Sequence, residues 1–420
     1  MTDAAVPSGP VTRSSVARVG AATAVTALCG YAVLYLAARD LDPAGFSVFA
    51  VFWGAFGLVT GAANGLLQQS TREIRIAAPM PVDRPPVTHP MRVAAVVGVV
   101  AAVVVALTAV LWSAHVFVES RWLSVLLLSI GLAGFCLHAT LLGMLAGANQ
   151  WSQYGALMVT DAVIRVVIAV LTVVIGWGLV GFLWATVGGA VAWLLLLLTS
   201  PVARQTAHLV AHDDTRGFLR GAGHAVAAAS ASAILVMGFP VLLKATSGDL
   251  GSTGGVVILA VTLTRAPLLV PLTAMQGNLI AHFVDARRHR LRALTGPVLL
   301  VAAIGGIGVA LAALAGPWLL RVGFGADYVA SGTLLAWLTA GAVAIAVLTV
   351  TGAATVAAAL HRAYSVGWIG ATVAAAALLT LPLALEARTI VALLCGPVVG
   401  IAVHLFALAR STPQAQPGPA

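Results

Sequence analysis

The sequence predicts an all-α polytopic membrane protein with about 12 transmembrane helices in two six-helix pseudo-symmetric bundles. Three observations predict it: the composition, the spacing of the apolar runs and an internal repeat. Of the 420 residues, 60% are hydrophobic and only 8% are charged, and the mean hydropathy is +1.03. No soluble domain buries so large an apolar fraction, so lipid must be the solvent for most of the chain.

Apolar runs of about span length recur along the chain between charged residues, prolines and glycines. The connections are short and leave no room for a soluble catalytic domain or an ATP-binding cassette. The predicted domains are a cytoplasmic N-terminal segment (1–17), an N-terminal bundle (18–200), a cytoplasmic linker (201–223), a C-terminal bundle (224–410) and a disordered cytoplasmic tail (411–420). The predicted spans are 19–38, 46–68, 93–117, 122–147, 155–175, 180–200, 224–244, 255–283, 293–315, 330–355, 365–385 and 389–409.

The basic residues predict the orientation. With the N-terminus inside, the inner segments carry 15 arginines and the outer segments only 5 basic residues. This positive-inside bias predicts a multi-pass protein of the cell inner (plasma) membrane with both termini in the cytoplasm. The basic residues are scattered over short loops with no interleaved aromatics, so we expect no nucleic-acid partner. The three cysteines (Cys29, Cys136 and Cys395) lie in apolar runs, so no disulfide framework, metal site or cofactor is expected.

Two sequence matches indicate a duplicated six-helix unit. Asp40, Leu41 and Gly45 match the turn at 249–254 at an offset of 209. The segment 143–154 matches 353–364 at an offset of 210. Units with an even number of spans keep the same orientation, so their pseudo-axis lies along the membrane normal. Transporters built this way place their binding site between the halves, near the midplane.

Three short motifs lie at turns and at a span end. The turn at 38–49 reads ARDLDPAGFSVF, the exit from span 4 reads GMLAG followed by Asn149, Gln150, Trp151 and Tyr154, and the turn at 323–328 reads GFGADY, followed by Ser331. These motifs resemble those of bacterial polysaccharide flippases. The sequence thus resembles the oligosaccharide branch of the multidrug/oligosaccharidyl-lipid/polysaccharide (MOP) exporter superfamily, which includes the MATE transporters and the lipid II flippases. Span 1 departs from lipid II flippases because it lacks their intramembrane arginine, which disfavours a peptidoglycan precursor as cargo.

The resemblance implies transport of a polyprenyl-pyrophosphate-linked oligosaccharide across the inner membrane by alternating access, for cell-envelope polysaccharide biosynthesis. It implies no enzymatic activity. The implied partners are the glycolipid substrate, membrane lipid, and a glycan polymerase or glycosyltransferases.

Charged residues at membrane depth are the first candidates for a site, because each costs roughly 2.5–3.5 kcal/mol on insertion scales. Asp161 and Arg165 are four residues apart in span 5 and can pair on one helical face. Arg265 lies at similar depth in span 8, in the other half. Guanidinium groups bind phosphate oxygens through a fork of donors, so both arginines are expected to face a shared central cavity for a pyrophosphate. Alternatively, the span 5 pair is structural and Arg265 contacts backbone carbonyls freed by Pro267 and Pro271.

Weaker candidates are polar residues that could bind sugar hydroxyls or join helices. They are Asn64 and Gln68 in span 2, and Gln276 and Asn278 in span 8. For the intramembrane histidines, His138 and His404, a hydrogen bond between helices is favoured over proton relay.

Two further functions stay open. One is an ion-coupled small-solute or drug antiporter of the same superfamily, which would need a carboxylate-rich cavity. The other is a polytopic glycosyltransferase with lipid-linked donors, for which the first outer loop around Asp42 is too short to build a donor pocket.

Overall fold

The computed structural model describes residues 13–77, 88–211, 213–275, 279–280, 282–283, 290–358 and 360–411; of 13–17, 273–274 and 290 it describes the backbone only. Twelve helices in this part of the chain are long and apolar enough to span a membrane. The predicted all-α membrane fold is therefore confirmed. The tail at 412–420 lies outside the described residues, as does most of the N-terminal segment.

We number the helices in chain order. Span 6 is made of α6 and α7, joined by a 3₁₀ turn at Gly189–Val191. The bounds are α1 Arg13–Asp40, α2 Pro43–Ala77, α3 Pro90–Val116, α4 Arg121–Gly147, α5 Trp151–Ile175, α6 Gly178–Gly188, α7 Ala192–Thr199, α8 Pro201–Ala207, α9 Thr215–Val236, α10 Phe239–Ser247, α11 Gly251–Ala274, α12 Arg290–Phe324, α13 Gly332–Ala357, α14 His361–Leu379 and α15 Leu385–Arg410.

Span 7 differs most from its predicted bounds. A single helix over 224–244 was expected, whereas α9 begins at Thr215 and ends at Val236. The early start has a local cause, because the Asp214 side chain accepts a hydrogen bond from the Gly217 N–H at 2.7 Å and caps the helix. Part of the predicted linker is therefore helical. The α11 helix also ends at Ala274, earlier than the predicted end of span 8 at 283.

The described chain divides into two compact units, Met1–Ala245 and Thr246–Ala420. In the first unit α2 is the central helix, and it packs against α4, α6 and α9. Helix α9, and α10 as far as Ala245, therefore group with the first unit. The predicted bundle division at 201–223 stays a prediction.

Glycines on one face of α2 allow close packing against α9. A Cβ at Gly61 would collide with Ala233, and one at Gly65 would collide with the backbone of Ala225 and Val226. Small residues at four-residue spacing let two helix backbones approach, which is how helices associate where lipid removes the hydrophobic driving force. We refer to this contact between α2 and α9 as the α2–α9 seam.

The motifs that resemble the flippase family are turns and helix contacts in the structure. Asp42 accepts a hydrogen bond from the Gly45 N–H at 2.7 Å, at the start of α2. A Cβ at Gly143 would collide with the Leu67 carbonyl, so this glycine lets α4 pack on α2. Ser331 caps α13 by accepting from the Leu334 N–H at 3.1 Å. These residues thus build turns and helix interfaces.

In the second unit, α13 packs against α12 and α15, and α14 packs against α15. His404 on α15 is fully buried, and its Nδ1 lies 3.0 Å from the Thr351 Oγ1 on α13. Its Nε2 lies 3.3 Å from the Tyr364 carbonyl oxygen on α14. His404 therefore joins three helices, as the sequence predicted for this residue.

We predict that Gly65→Leu loosens the α2–α9 seam, because its side chain has no space beside Val226. Overpacking of this kind costs about 1–3 kcal/mol. The melting temperature of the purified protein in detergent should fall. Gly306→Leu is the control, because nothing lies within 4 Å of a Cβ built at Gly306. Equal melting temperatures for the two variants would contradict the close contact.

Candidate functional site

The predicted pair of Asp161 and Arg165 is formed, on either side of the middle of α5. The Arg165 Nη2 donates to the Asp161 Oδ1 at 2.9 Å, and its Nε donates to Oδ2 at 3.1 Å. The exposed fractions of the side chains are 14% for Arg165 and 12% for Asp161. Both charges are thus largely buried at membrane depth, where each compensates the other.

Span 6 supplies a third partner. The Arg165 Nη1 donates to the Thr186 carbonyl oxygen at 2.8 Å. Thr186 lies in the last turn of α6, where backbone carbonyls lack an α-helical donor, so the guanidinium meets an acceptor that the helix leaves open. The 3₁₀ turn follows at Gly189, where a Cβ would collide with the Asp161 carboxylate and lie 2.6 Å from the Arg165 Nε. Only a glycine leaves space there for the ion pair.

Aromatic rings complete the surroundings of the pair. The Arg165 guanidinium carbon lies 5.4 Å from the centroid of the buried Phe56 ring on α2, a cation–π distance. Phe135 on α4 packs edge-on against Phe56 and stacks on His138, with ring centroids 5.2 Å apart. His138 is buried, and its Nδ1 has no hydrogen-bond partner within the described part of the chain. The favoured helix-to-helix hydrogen bond through this atom is therefore not seen.

Arg165 keeps two N–H donors that the bonds to Asp161 and Thr186 do not use. A guanidinium has five N–H groups. The bonds to Asp161 and Thr186 engage all three nitrogens but, among the described residues, leave one hydrogen on each terminal nitrogen. Asp161 balances the charge while the planar group is held by α5, α6 and Phe56. Such a fixed group can bind an oxyanion with little loss of side-chain entropy.

Arg265 is buried in α11 of the second unit, with 7% of the residue exposed. Pro267 and Pro271 lie inside the same helix. A proline lacks the N–H that would bond the carbonyl four residues earlier, so the carbonyls of Leu263 and Pro267 each lose an intrahelical donor. The structure therefore places a permanent cation beside an interrupted stretch of helical backbone.

The remaining candidates are only partly described. Asn64 is half-buried and Gln68 is exposed, one turn apart on α2. Gln276 and Asn278 lie outside the described residues. The shared cavity expected for Arg165 and Arg265 stays a prediction. No cluster of metal-ligating side chains occurs in the described ranges.

Close relatives place the chain in a protein family. No protein-family model matches the sequence. The uncharacterized protein Rv3630 of Mycobacterium tuberculosis (strain H37Rv) is 68% identical over 404 residues, which cover 96% of this chain and 94% of the relative. The chain belongs to the Rv3630 family. A second member, the uncharacterized protein Rv1510 of the same strain, is 65% identical over 413 residues, covering 98% and 96% of the two chains.

Solved structures show which fold the Rv3630 family has. A multidrug-resistance MATE family transporter of the MOP superfamily, in an inward-facing conformation, matches with a TM-score of 0.70 and 14% identity over 91% of this chain and 94% of the transporter. A MOP superfamily transporter from Pyrococcus furiosus matches with a TM-score of 0.63 and 15% identity over 95% and 96% of the two chains. The Rv3630 family therefore has the MATE fold, as the sequence predicted. These solved relatives are transporters rather than enzymes.

Sequence reasoning missed three contributors to the site in the first unit. The Thr186 carbonyl, Phe56 and Gly189 all contact or adjoin the ion pair. A signal for Gly189 was present, because the glycine pair at 188–189 interrupts the apolar run of span 6. Glycine pairs inside a span mark kinks and close approaches. Neither a backbone acceptor nor one phenylalanine among twelve carries a comparable signal.

We predict that Asp161→Ala lowers the melting temperature strongly, because it leaves the Arg165 charge buried without its partner. Breaking a buried pair costs about 3–5 kcal/mol. The double variant Asp161→Leu/Arg165→Met should recover most of the loss, since apolar residues of similar size can replace a buried pair. Thermal unfolding in detergent measures both variants. A double variant whose loss of stability equals the summed losses of Asp161→Leu and Arg165→Met, each measured alone, would show that the pair is not a coupled unit.

Proposed function

We propose that this protein is a flippase that moves a polyprenyl-pyrophosphate-linked oligosaccharide across the inner membrane by alternating access, for cell-envelope polysaccharide biosynthesis. The observation that carries the proposal is the presence of a buried arginine within the spans of each unit, Arg165 in the first and Arg265 in the second. The MATE fold supports a transporter, and the sign of these charges supports an anionic cargo.

The chemistry of the cargo matches these groups. A pyrophosphate carries its charge through the least polar part of the bilayer, where water cannot neutralise it. Guanidinium stays protonated at any physiological pH and binds phosphate oxygens through directed N–H groups. Asp161 reduces the net charge at Arg165, so that an anion binds reversibly. Asn64 and Gln68 are candidates for contacts with the sugar hydroxyls.

A structural neighbour supports a change of substrate class within this fold. The MOP superfamily transporter from Pyrococcus furiosus is described as having a binding pocket of reverse polarity that suggests a different function. We infer that the arginines of the Rv3630 family reflect a comparable preference for anions. The alternative, a drug antiporter, is favoured by the multidrug-resistance transporters among the neighbours. It is disfavoured by Arg165 and Arg265, which would repel a cationic drug.

We predict that Arg265→Ala strongly lowers export of the glycan. Cells depleted of the protein should accumulate the polyprenyl-pyrophosphate oligosaccharide, and the wild-type gene should clear it. Losing charge-assisted hydrogen bonds worth about 1.5–3 kcal/mol lowers transport by roughly tenfold or more. Arg265→Lys keeps the charge without the fork of donors and should restore export only partly.

Arg388→Ala is the matched control, because Arg388 lies near the start of α15 and donates to the Leu379 carbonyl at 3.4 Å. It should export normally at the same protein abundance. Normal export by Arg265→Ala at wild-type abundance would remove Arg265 from the site. Efflux of a lipophilic cation, without any effect of depletion on glycolipids, would favour the antiporter.

A further inference from the structure

A buried carboxylate lies near the C-terminal end of α2, well beyond Phe56, the α2 residue that contacts Arg165. Glu73 has no exposed surface. Its Oε2 accepts a hydrogen bond from the Asp213 backbone N–H at 2.9 Å, and its Oε1 accepts one from the Gln69 Nε2 at 3.1 Å. The Arg72 Nη1 lies 3.4 Å from Oε1, and its side chain is 62% exposed. Burying a carboxylate is costly, so this cluster needs a reason beyond packing.

Glu73 bonds to the connection between span 6 and span 7, at residues 208–214. The Ala211 N–H donates to the Thr88 carbonyl at 2.9 Å, and the hydroxyls of Thr88 and Thr215 lie 3.1 Å apart. Phe218, in the first turn of α9, is fully buried in a cluster with Leu66 and Leu132. The connection is therefore fixed to the first unit.

The hydrogen bond from the Asp213 N–H to Glu73 lies next to the start of α9. Asp213 directly precedes Asp214, the residue that caps α9. Nearly two turns into α9, Gly221 lies so close to the Gln69 amide that a Cβ there would collide with it. The glycine contacts of the α2–α9 seam are close but non-directional, whereas the bond from Asp213 to a charged acceptor is directional and stronger. The polar cluster thus fixes the end of a seam that is otherwise held by packing.

We propose that Glu73, with Gln69 and the Asp213 N–H, is a latch that holds this end of the α2–α9 seam closed. With the latch made, the start of α9 lies on the glycine face of α2. With the latch broken, the two helix ends separate and water enters the seam from the side of the α2 C-terminus. The latch is a conformational device of the first unit and does not depend on the identity of the cargo.

Hydrogen–deuterium exchange of the full-length protein in detergent tests the latch. Glu73→Ala removes the acceptor and should speed exchange about tenfold or more, the factor that corresponds to about 1.4 kcal/mol. The rise should appear at 208–214 and also along both sides of the seam, at 60–72 and 218–233. Faster exchange along the seam distinguishes a latch from a purely local contact, because a purely local contact would protect only the connection at 208–214. Faster exchange confined to 208–214, or unchanged exchange, would overturn the proposal.

Two controls leave the latch intact. Arg72→Ala removes only the exposed arginine, and Thr88→Val removes the bond to Thr215 while keeping the backbone bond to Ala211. Neither should speed exchange at 218–233. If Glu73→Ala yields too little folded protein, Glu73→Gln serves instead, because its amide keeps an oxygen for Asp213 but loses the charge. A smaller rise over the same segments would support the latch, and no rise would contradict it.

Discussion

Hydrocarbon offers no hydrogen-bond partners, and this constraint explains most features of the structure. Polar groups at membrane depth therefore depend on partners within the protein, and the His138 Nδ1 is an exception in the described part of the chain. Arg165 bonds to Asp161 and to the Thr186 carbonyl that the end of α6 leaves open. His404 bonds to two neighbouring helices. Lipid tails are also as apolar as the helix surfaces, so no hydrophobic force holds the helices together, and glycines such as Gly65 and Gly143 allow the close packing that does.

The two charged sites use carboxylates in different ways. In α5, Asp161 neutralises a cation and fixes its orientation, so that Arg165 presents its remaining donors at the middle of the span. In α2, Glu73 has backbone and amide donors as its close partners, and it holds the connection between span 6 and span 7 against α2. We interpret the first site as part of substrate recognition and the second as part of the conformational change. Transport by alternating access requires both.

The sequence predicted the features that depend on local pattern. Hydropathy located the spans, and the four-residue spacing of Asp161 and Arg165 correctly predicted their pairing. Features that depend on tertiary contact were missed. The start of α9 is set by the Asp214 cap in a polar stretch that hydropathy reads as a loop. Glu73 follows the predicted end of span 2 and was therefore assigned to a loop. Its hydrogen-bond partner Asp213 lies 140 residues further along the chain. Short-range patterns cannot report such contacts.

We propose that the spans select an anionic lipid. Equilibrium binding to the purified protein tests this selectivity most directly, with a radiolabelled polyprenyl pyrophosphate and with a lipophilic cation of similar size. We expect saturable binding of the pyrophosphate lipid, competition by unlabelled pyrophosphate lipid, and no competition by the cation. Saturable binding of the cation, with no binding of the pyrophosphate lipid, would contradict an anionic cargo.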